Sequence, residues 1–440
     1  MQHITYDRQD ERHLNPNLTR DVPSRTRRAV LLLVFAAAFI TYLDRVCLSV
    51  AAPAMQKEFG LSDVQFGWVF TVFYVAYGIA ELPVSWLGDL WGQRRMLVRI
   101  VGCWSIFTAL TGAASTFSTL LATRTVFGAA EAGAFPTLSR ALARWFPLRE
   151  RARANGILWM GARSGGALAP PLAVGLIAWL GWRWAFAVFG AVGLVWCLIC
   201  AVWYRDDPAQ HKSVNASELR LIREGGAPSS QEAHSKLPWR KFFLNSTMLA
   251  LFCSYFASGF GFQFFVTWLP TYLMREHGLS LAKSGVLSAL PLAAGAAGCF
   301  LGGILSDFIA RRTGSLVWGR RSVAIGGYVF GAIGYLTAVY AKSPAAAIAF
   351  LTLASGAHDL TLSVMWSTAV DAGGKFGGTA GGFINVGSSI SGMLAPLTAA
   401  GVESIFGTFH AVFWIAAGLY FFAACLWLFI DPRKRVASCL

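Results

Sequence analysis

The sequence predicts an all-α membrane protein, with twelve transmembrane helices in two pseudo-symmetric six-helix bundles joined by a central cytoplasmic linker. Three observations carry that expectation. Of 440 residues, 55% are hydrophobic and only 13% charged, against about 25% charged in an ordinary soluble domain. Apolar runs long enough to cross a bilayer, about 17–25 residues, come in two sets of six. A block of glycines and prolines also recurs at one constant spacing.

The first six runs fall near 29–53, 64–88, 95–115, 117–143, 152–180 and 182–204, and the second six near 247–274, 281–310, 322–341, 344–370, 378–405 and 407–430. The first run is longer than a signal-peptide core of roughly 7–15 residues, so it reads as a permanent span. The expected organisation is a cytoplasmic tail over 1–28, a bundle over 29–204, a linker over 205–246, a second bundle over 247–430 and a tail over 431–440. Lys and Arg gather in the N-terminal tail, in "GQRRM", "SRALARWFPLRERARA", the linker, "ARRTGSLVWGRRS" and "DPRKR". The alternate loops hold little beyond Lys57, Arg183, Arg275, Lys283 and Lys342. Basic loops stay on the cytoplasmic side, so both termini are expected there.

The net charge of +15 does not form a nucleic-acid surface, because the bases are spread over short loops. The eight cysteines show no disulfide or zinc spacing, and "CLIC" (197–200) lies in an apolar run where packing explains it. No nucleophile–base pair or metal set stands at matched depth, so neither an enzyme nor a bound cofactor is expected.

The repeat links "GILWMGARSGGALAPPLAVG" (156–175) with "GFINVGSSISGMLAPLTAAG" (382–401). Gly156, Gly161, Gly166, Leu168, Ala169, Pro170 and Gly175 recur as Gly382, Gly387, Gly392, Leu394, Ala395, Pro396 and Gly401, each 226 residues later. "GAAE" (128–131) recurs as "GAHD" (356–359), which matches Glu131 with Asp359, and "LGDLWGQRR" has an echo in "LSDFIARR". Two homologous halves of this kind place a substrate site between them, near the bilayer midplane.

Charges inside apolar helices are costly and mark function. Asp44 and Arg45 are neighbours on a helix and point about 100° apart, so each needs a partner elsewhere. Arg124 and Glu131 share one face of the fourth run, Tyr74, Tyr77 and Glu81 one face of the second, and Arg163 lies mid-span in the fifth. Glu81, close to Pro83, fits either a helix-break cap or a functional group. The second half offers Gln263 in the seventh run, His358, Asp359 and Trp366 in the tenth and Asn385 in the eleventh, but no mid-span Lys or Arg. The first half suits charge, and the second suits hydrogen bonding and stacking. An Arg whose partner is taken by a substrate carboxylate frees Asp44 or Glu131 to bind a proton. The planar fork of Arg45 suits such a carboxylate. Arg163 is a candidate second anchor for a diacid.

The two six-run halves and "GDLWGQRR" resemble the major facilitator superfamily. "YLDRVCLSVAAPAM", "RTVFGAAEAGAFP", "ARWFPLRERARANGI" and "LAPPL" resemble its anion:cation symporter family, which includes permeases for sugar acids, tartrate and phthalate and the animal sialic acid and vesicular glutamate carriers. The resemblance covers residues 28–431. It implies proton handling and carboxylate binding by Asp44, Arg45, Arg124 and Glu131, and a substrate-site role for Tyr77. It also implies gating by Asp89 and Arg94, to which the internal echo adds Arg95, Asp307 and Arg311. Ser85, Leu90 and Gln93 depart from the superfamily's usual loop residues. The resulting expectation is a monomeric, proton-driven importer of a small organic anion, a sugar acid first of all. Sodium is the alternative coupling ion. Exchange or export, an aromatic or dicarboxylic substrate, and a non-transporting receptor are the alternative functions.

Overall fold

A computed structural model describes residues 22–224, 243–280, 283–284 and 287–433. Most of the N-terminal tail, the middle of the linker, the first residues of the eighth run and residues 434–440 lie outside the described residues. Among the described residues, fifteen α-helices follow in order: α1 (Thr26–Phe59), α2 (Asp63–Trp91), α3 (Gln93–Gly112), α4 (Phe117–Glu131), α5 (Ala134–Trp145), α6 (Arg151–Leu180), α7 (Trp182–Trp203), α8 (Ala216–Glu224), α9 (Ser246–Thr267), α10 (Leu269–Arg275), α11 (Ala289–Thr313), α12 (Leu316–Val339), α13 (Pro344–Gly373), α14 (Gly377–Phe406) and α15 (His410–Trp427). Among the described residues, eight stretches are long and apolar enough to cross a membrane; one of them, Pro344–Ala395, runs through α13 into α14. This is a multi-pass, all-helical membrane protein.

Two runs expected as single helices are broken. The fourth divides into α4 and α5 at Ala132–Gly133. Gly133 has φ 75°, and a Cβ there would lie 2.6 Å from the Val84 side chain. Only glycine combines that backbone with that closeness. Glu81 accepts the Gly133 N–H (3.1 Å), so it caps the break. Pro136 falls in the first turn of α5, where its missing N–H costs nothing. The seventh run divides at Trp268, where α10 begins with Pro270 in its first turn.

Packing follows the repeat. α1 lies on α6 as α9 lies on α14; α3 pairs with α7 as α12 pairs with α15; α2 pairs with α4 as α11 pairs with α13. The repeated glycines explain why. A Cβ on Gly161 would come within 2.7 Å of the Phe35 carbonyl, and one on its match Gly387 within 2.8 Å of the Phe252 carbonyl. Backbones in contact at matched places need small residues at matched places. The two sets of helices meet along α2–α14 and α6–α11, again an equivalent pair of seams. Glu218 of α8 accepts the backbone N–H groups of Thr26 (3.2 Å) and Arg27 (3.1 Å), which ties α8 to the start of α1.

Candidate functional site

A cavity of about 550 Å³ lies between the two sets of helices. Arg45 of α1 projects into it, and its guanidinium sits 5.4, 5.2 and 5.0 Å from the ring centres of Tyr42, Phe73 and Tyr77. Three π-faces around one cation favour its charge and hold its plane. Arg45 Nε donates to Glu131 Oε1 at 2.7 Å. That bond leaves Arg45 Nη2 and Glu131 Oε2 buried without a hydrogen-bond partner. Arg124 lines the same wall, 4.0 Å above the Phe127 ring, with its Nε and Nη1 also unpartnered. Asp44 faces away from Arg45. It is fully buried, with Trp104, Thr108 and Arg124 around it and no hydrogen bond to either carboxylate oxygen. α1 and α4 therefore bring together the four residues that the sequence singled out.

The opposite wall has its own pair. Arg163 donates from Nε and Nη2 to the two oxygens of Asp359, both at 2.9 Å, and lies 3.7 Å over the Phe262 ring. Arg163, the candidate second anchor of the sequence reading, is thus held by a carboxylate that comes from the other half. His358 Nε2 is 2.5 Å from Ser258 Oγ. Its Nδ1 stands 2.9 Å from Asp359 Oδ1, out of line for a hydrogen bond. Asn385 lines the cavity and donates to Tyr77 Oη (3.0 Å) and Glu81 Oε1 (2.9 Å), so Glu81 serves both the helix break and the seam. Gln263 also lines the cavity. Trp366 does not: it is fully buried beneath the floor that Phe135 and Trp159 form, with their rings stacked 4.5 Å apart. Its place on the Asp359 face of the helix aims it at the core, not at a substrate.

The bonds joining the halves gather between the cavity and the end that carries the basic loops. Asp89 accepts the N–H groups of Gly378 (2.9 Å) and Thr379 (2.7 Å) and the Thr379 hydroxyl (2.8 Å), at the first turn of α14. Asp307 accepts the N–H of Arg153 (3.2 Å), at the first turn of α6. Arg153 and Thr379 are 226 residues apart, so these carboxylates hold equivalent helix N-termini, where the helix dipole favours negative charge. Arg140 Nε lies 3.7 Å from Asp89, and Arg151 and Arg320 both bind Asp371. Of the bases expected to gate, the Arg94 side chain turns back onto Ala201 O in its own half, with its backbone N–H on Asp206 at the start of the linker, and Arg95 and Arg311 stand exposed. The bases that do reach across, Arg140 to the Lys375 carbonyl (3.1 Å) and Arg151 to Asp371, lie in the basic stretch that the sequence used only for orientation. Tyr42, Phe135 and Trp159 were also missed, although Tyr42 sits one turn before Arg45. At the other end of the cavity, Tyr74 and Val266 are exposed.

Residues 34–396 match the Major Facilitator Superfamily model. The chain belongs to this superfamily. It is a transporter and not an enzyme. A probable sulfoacetate transporter, SauU, of Cupriavidus necator is 37% identical over 414 residues, 94% of this chain and 96% of that protein. The D-galactonate transporter of Escherichia coli is 31% identical over 428 residues, 94% of this chain and 98% of that protein. The proton:xylose symporter XylE shares the fold, with a TM-score of 0.75 at 13% identity over 94% of this chain and 98% of its own.

Proposed function

We propose that this protein imports a small organic anion together with protons, by alternating access across a cytoplasmic membrane. A sugar acid is the first choice of substrate. The observation that carries the reading is the Arg45–Glu131 pair, a single hydrogen bond in an aromatic-lined cavity with unpartnered nitrogens on Arg45 and Arg124. A substrate carboxylate takes the fork of Arg45 in place of Glu131. The three cations Arg45, Arg124 and Arg163 face Asp44, Glu131 and Asp359, with Glu81 a fourth buried carboxylate beside Asn385, so an added anion has no net positive charge to meet. A proton on Glu131 or Asp44 restores the balance, which couples the two movements. The names of relatives, for galactonate and sulfoacetate, fit an anion at this place. Counting α4 with α5 and α9 with α10 as one crossing each gives twelve crossings in two sixes, with the linker and both termini on the basic, cytoplasmic side. The cavity is then sealed inside by Asp89, Asp307 and Asp371 and reached from outside.

Proteoliposome uptake of D-galactonate, D-glucarate and sulfoacetate, with and without an imposed pH gradient, tests this. Accumulation driven by an acidic exterior is expected for at least one. Uptake that needs a counter-anion and ignores the gradient means an exchanger, and binding without movement means a receptor. A shorter acid is the second reading: Phe70, Phe73, Phe135, Trp159 and Phe262 give the cavity long apolar walls, and sulfoacetate uptake exceeding galactonate uptake selects it.

A further inference from the structure

Phe262 occupies in the second half the place that Arg45 holds in the first. The register comes from the carbonyls of Phe35 and Phe252, which meet the matched glycines Gly161 and Gly387. The same step of 217 residues carries Arg45 to Phe262. The missing second-half cation is supplied from the first half, for Arg163 lies 3.7 Å over the Phe262 ring and binds Asp359, the match of Glu131. Arg45 and Arg163 line one cavity, so two guanidinium–carboxylate pairs face it from walls related by the repeat.

We propose that Arg163, His358 and Ser258 form a second anion subsite, which takes the second acidic group of a dianion, a carboxylate or a sulfonate, when His358 carries a proton. The inference rests on the reading of the cavity as an organic-anion site. Asp359 uses both oxygens on Arg163, so that pair presents no net charge. His358 and Ser258 both line the cavity beside it, 2.5 Å apart. Imidazole is the side chain that gains a proton between about pH 5 and 8. The remaining titratable neighbours are the phenols of Tyr42, Tyr255, Tyr328, Tyr335 and Tyr420 and the thiol of Cys299, none of which carries a positive charge in any state. With a proton taken from solution, the imidazolium points Nδ1 toward Asp359 and donates from Nε2 to Ser258 Oγ, whose own hydrogen then turns to the cavity. The wall becomes cationic, with a hydroxyl donor in front. A monoanion has no need of it.

The test compares D-galactonate, a monoanion, with D-glucarate, a dianion of the same carbon number, as competing substrates of the reconstituted full-length protein at pH 6 and pH 8. In the wild type, the glucarate-to-galactonate affinity ratio should be higher at pH 6. His358→Gln keeps a hydrogen bond to Ser258 but does not titrate. It should lower the ratio at pH 6 at least about tenfold, as loss of a charge-assisted hydrogen bond implies, and flatten its pH dependence. Arg163→Lys keeps the charge without the fork and should lower the ratio to a smaller degree. An unchanged ratio in both variants overturns the subsite. A wild type that moves only galactonate overturns it while leaving the transport reading intact, and a wild type that moves none of galactonate, glucarate and sulfoacetate overturns both.

Discussion

The two guanidinium–carboxylate pairs of the cavity use the same chemistry at equivalent places and are built to different tightness. Arg163 and Asp359 share two parallel hydrogen bonds, and the acid has no oxygen to spare. Arg45 and Glu131 share one, with an unpartnered nitrogen on one side and an unpartnered oxygen on the other. The first arrangement holds two halves together, and the second can be exchanged. A bidentate pair gains geometry as well as energy. A pair joined at one point loses less when a competing carboxylate arrives. Tightness, more than the presence of charge, separates the wall that holds from the wall that binds.

The sharpest way to break this comparison is Arg45→Ala. Removing one partner of a buried pair typically costs about 3–5 kcal/mol, here drawn from substrate binding, so binding should fall below detection by calorimetry on the purified protein. Arg45→Lys should retain weak binding, since the charge stays and the fork is lost. Wild-type affinity in Arg45→Ala would end the claim that this pair is exchangeable. Next in size is Asp359→Ala, which leaves Arg163 buried and unpaired. It should lower the thermal midpoint of detergent-purified protein more than Glu131→Ala does, because the tight pair contributes more to the fold. The reverse order would make Glu131 the structural partner. Glu131→Gln, a neutral isostere, should abolish accumulation under a pH gradient while counterflow exchange persists; unchanged accumulation in both Glu131→Gln and Asp44→Asn would remove them from coupling. The smallest effect is expected at the seal. Asp89→Asn keeps its place at the α14 N-terminus but loses the charge, a change of about 1 kcal/mol. Turnover should change several-fold and affinity within about threefold, by uptake kinetics; a variant that folds but does not bind would put Asp89 in the binding site.

The repeat, the four charges at the Arg45 wall and the positions of most helices were legible in the sequence, because each rests on local periodicity or a fixed spacing, though α1 runs six residues past its expected end and α12 begins six before its expected start. The break at Gly133 was not, since its cause lies on α2, in Val84 and Glu81. Nor was the partner of Arg163. A mid-span Arg announces that it needs a carboxylate but not which one, and Asp359 stands 196 residues away in the other half. Trp366 shows the opposite failure. Helical spacing put it on the face of Asp359, but the face seen by the cavity is decided by the neighbouring helices, and Phe135 and Trp159 stand in front of it.

The separation of Arg163 from Asp359 also has a meaning in time. A chain is made at about 5–20 residues per second, so the 196 residues between them take roughly 10–40 s to synthesise. Throughout that interval the fifth run of the nascent chain holds a guanidinium whose carboxylate does not yet exist. The tightest ion pair of the finished cavity is therefore the last of its charges to be settled during biogenesis, and the first half waits on the second to complete one of its own walls.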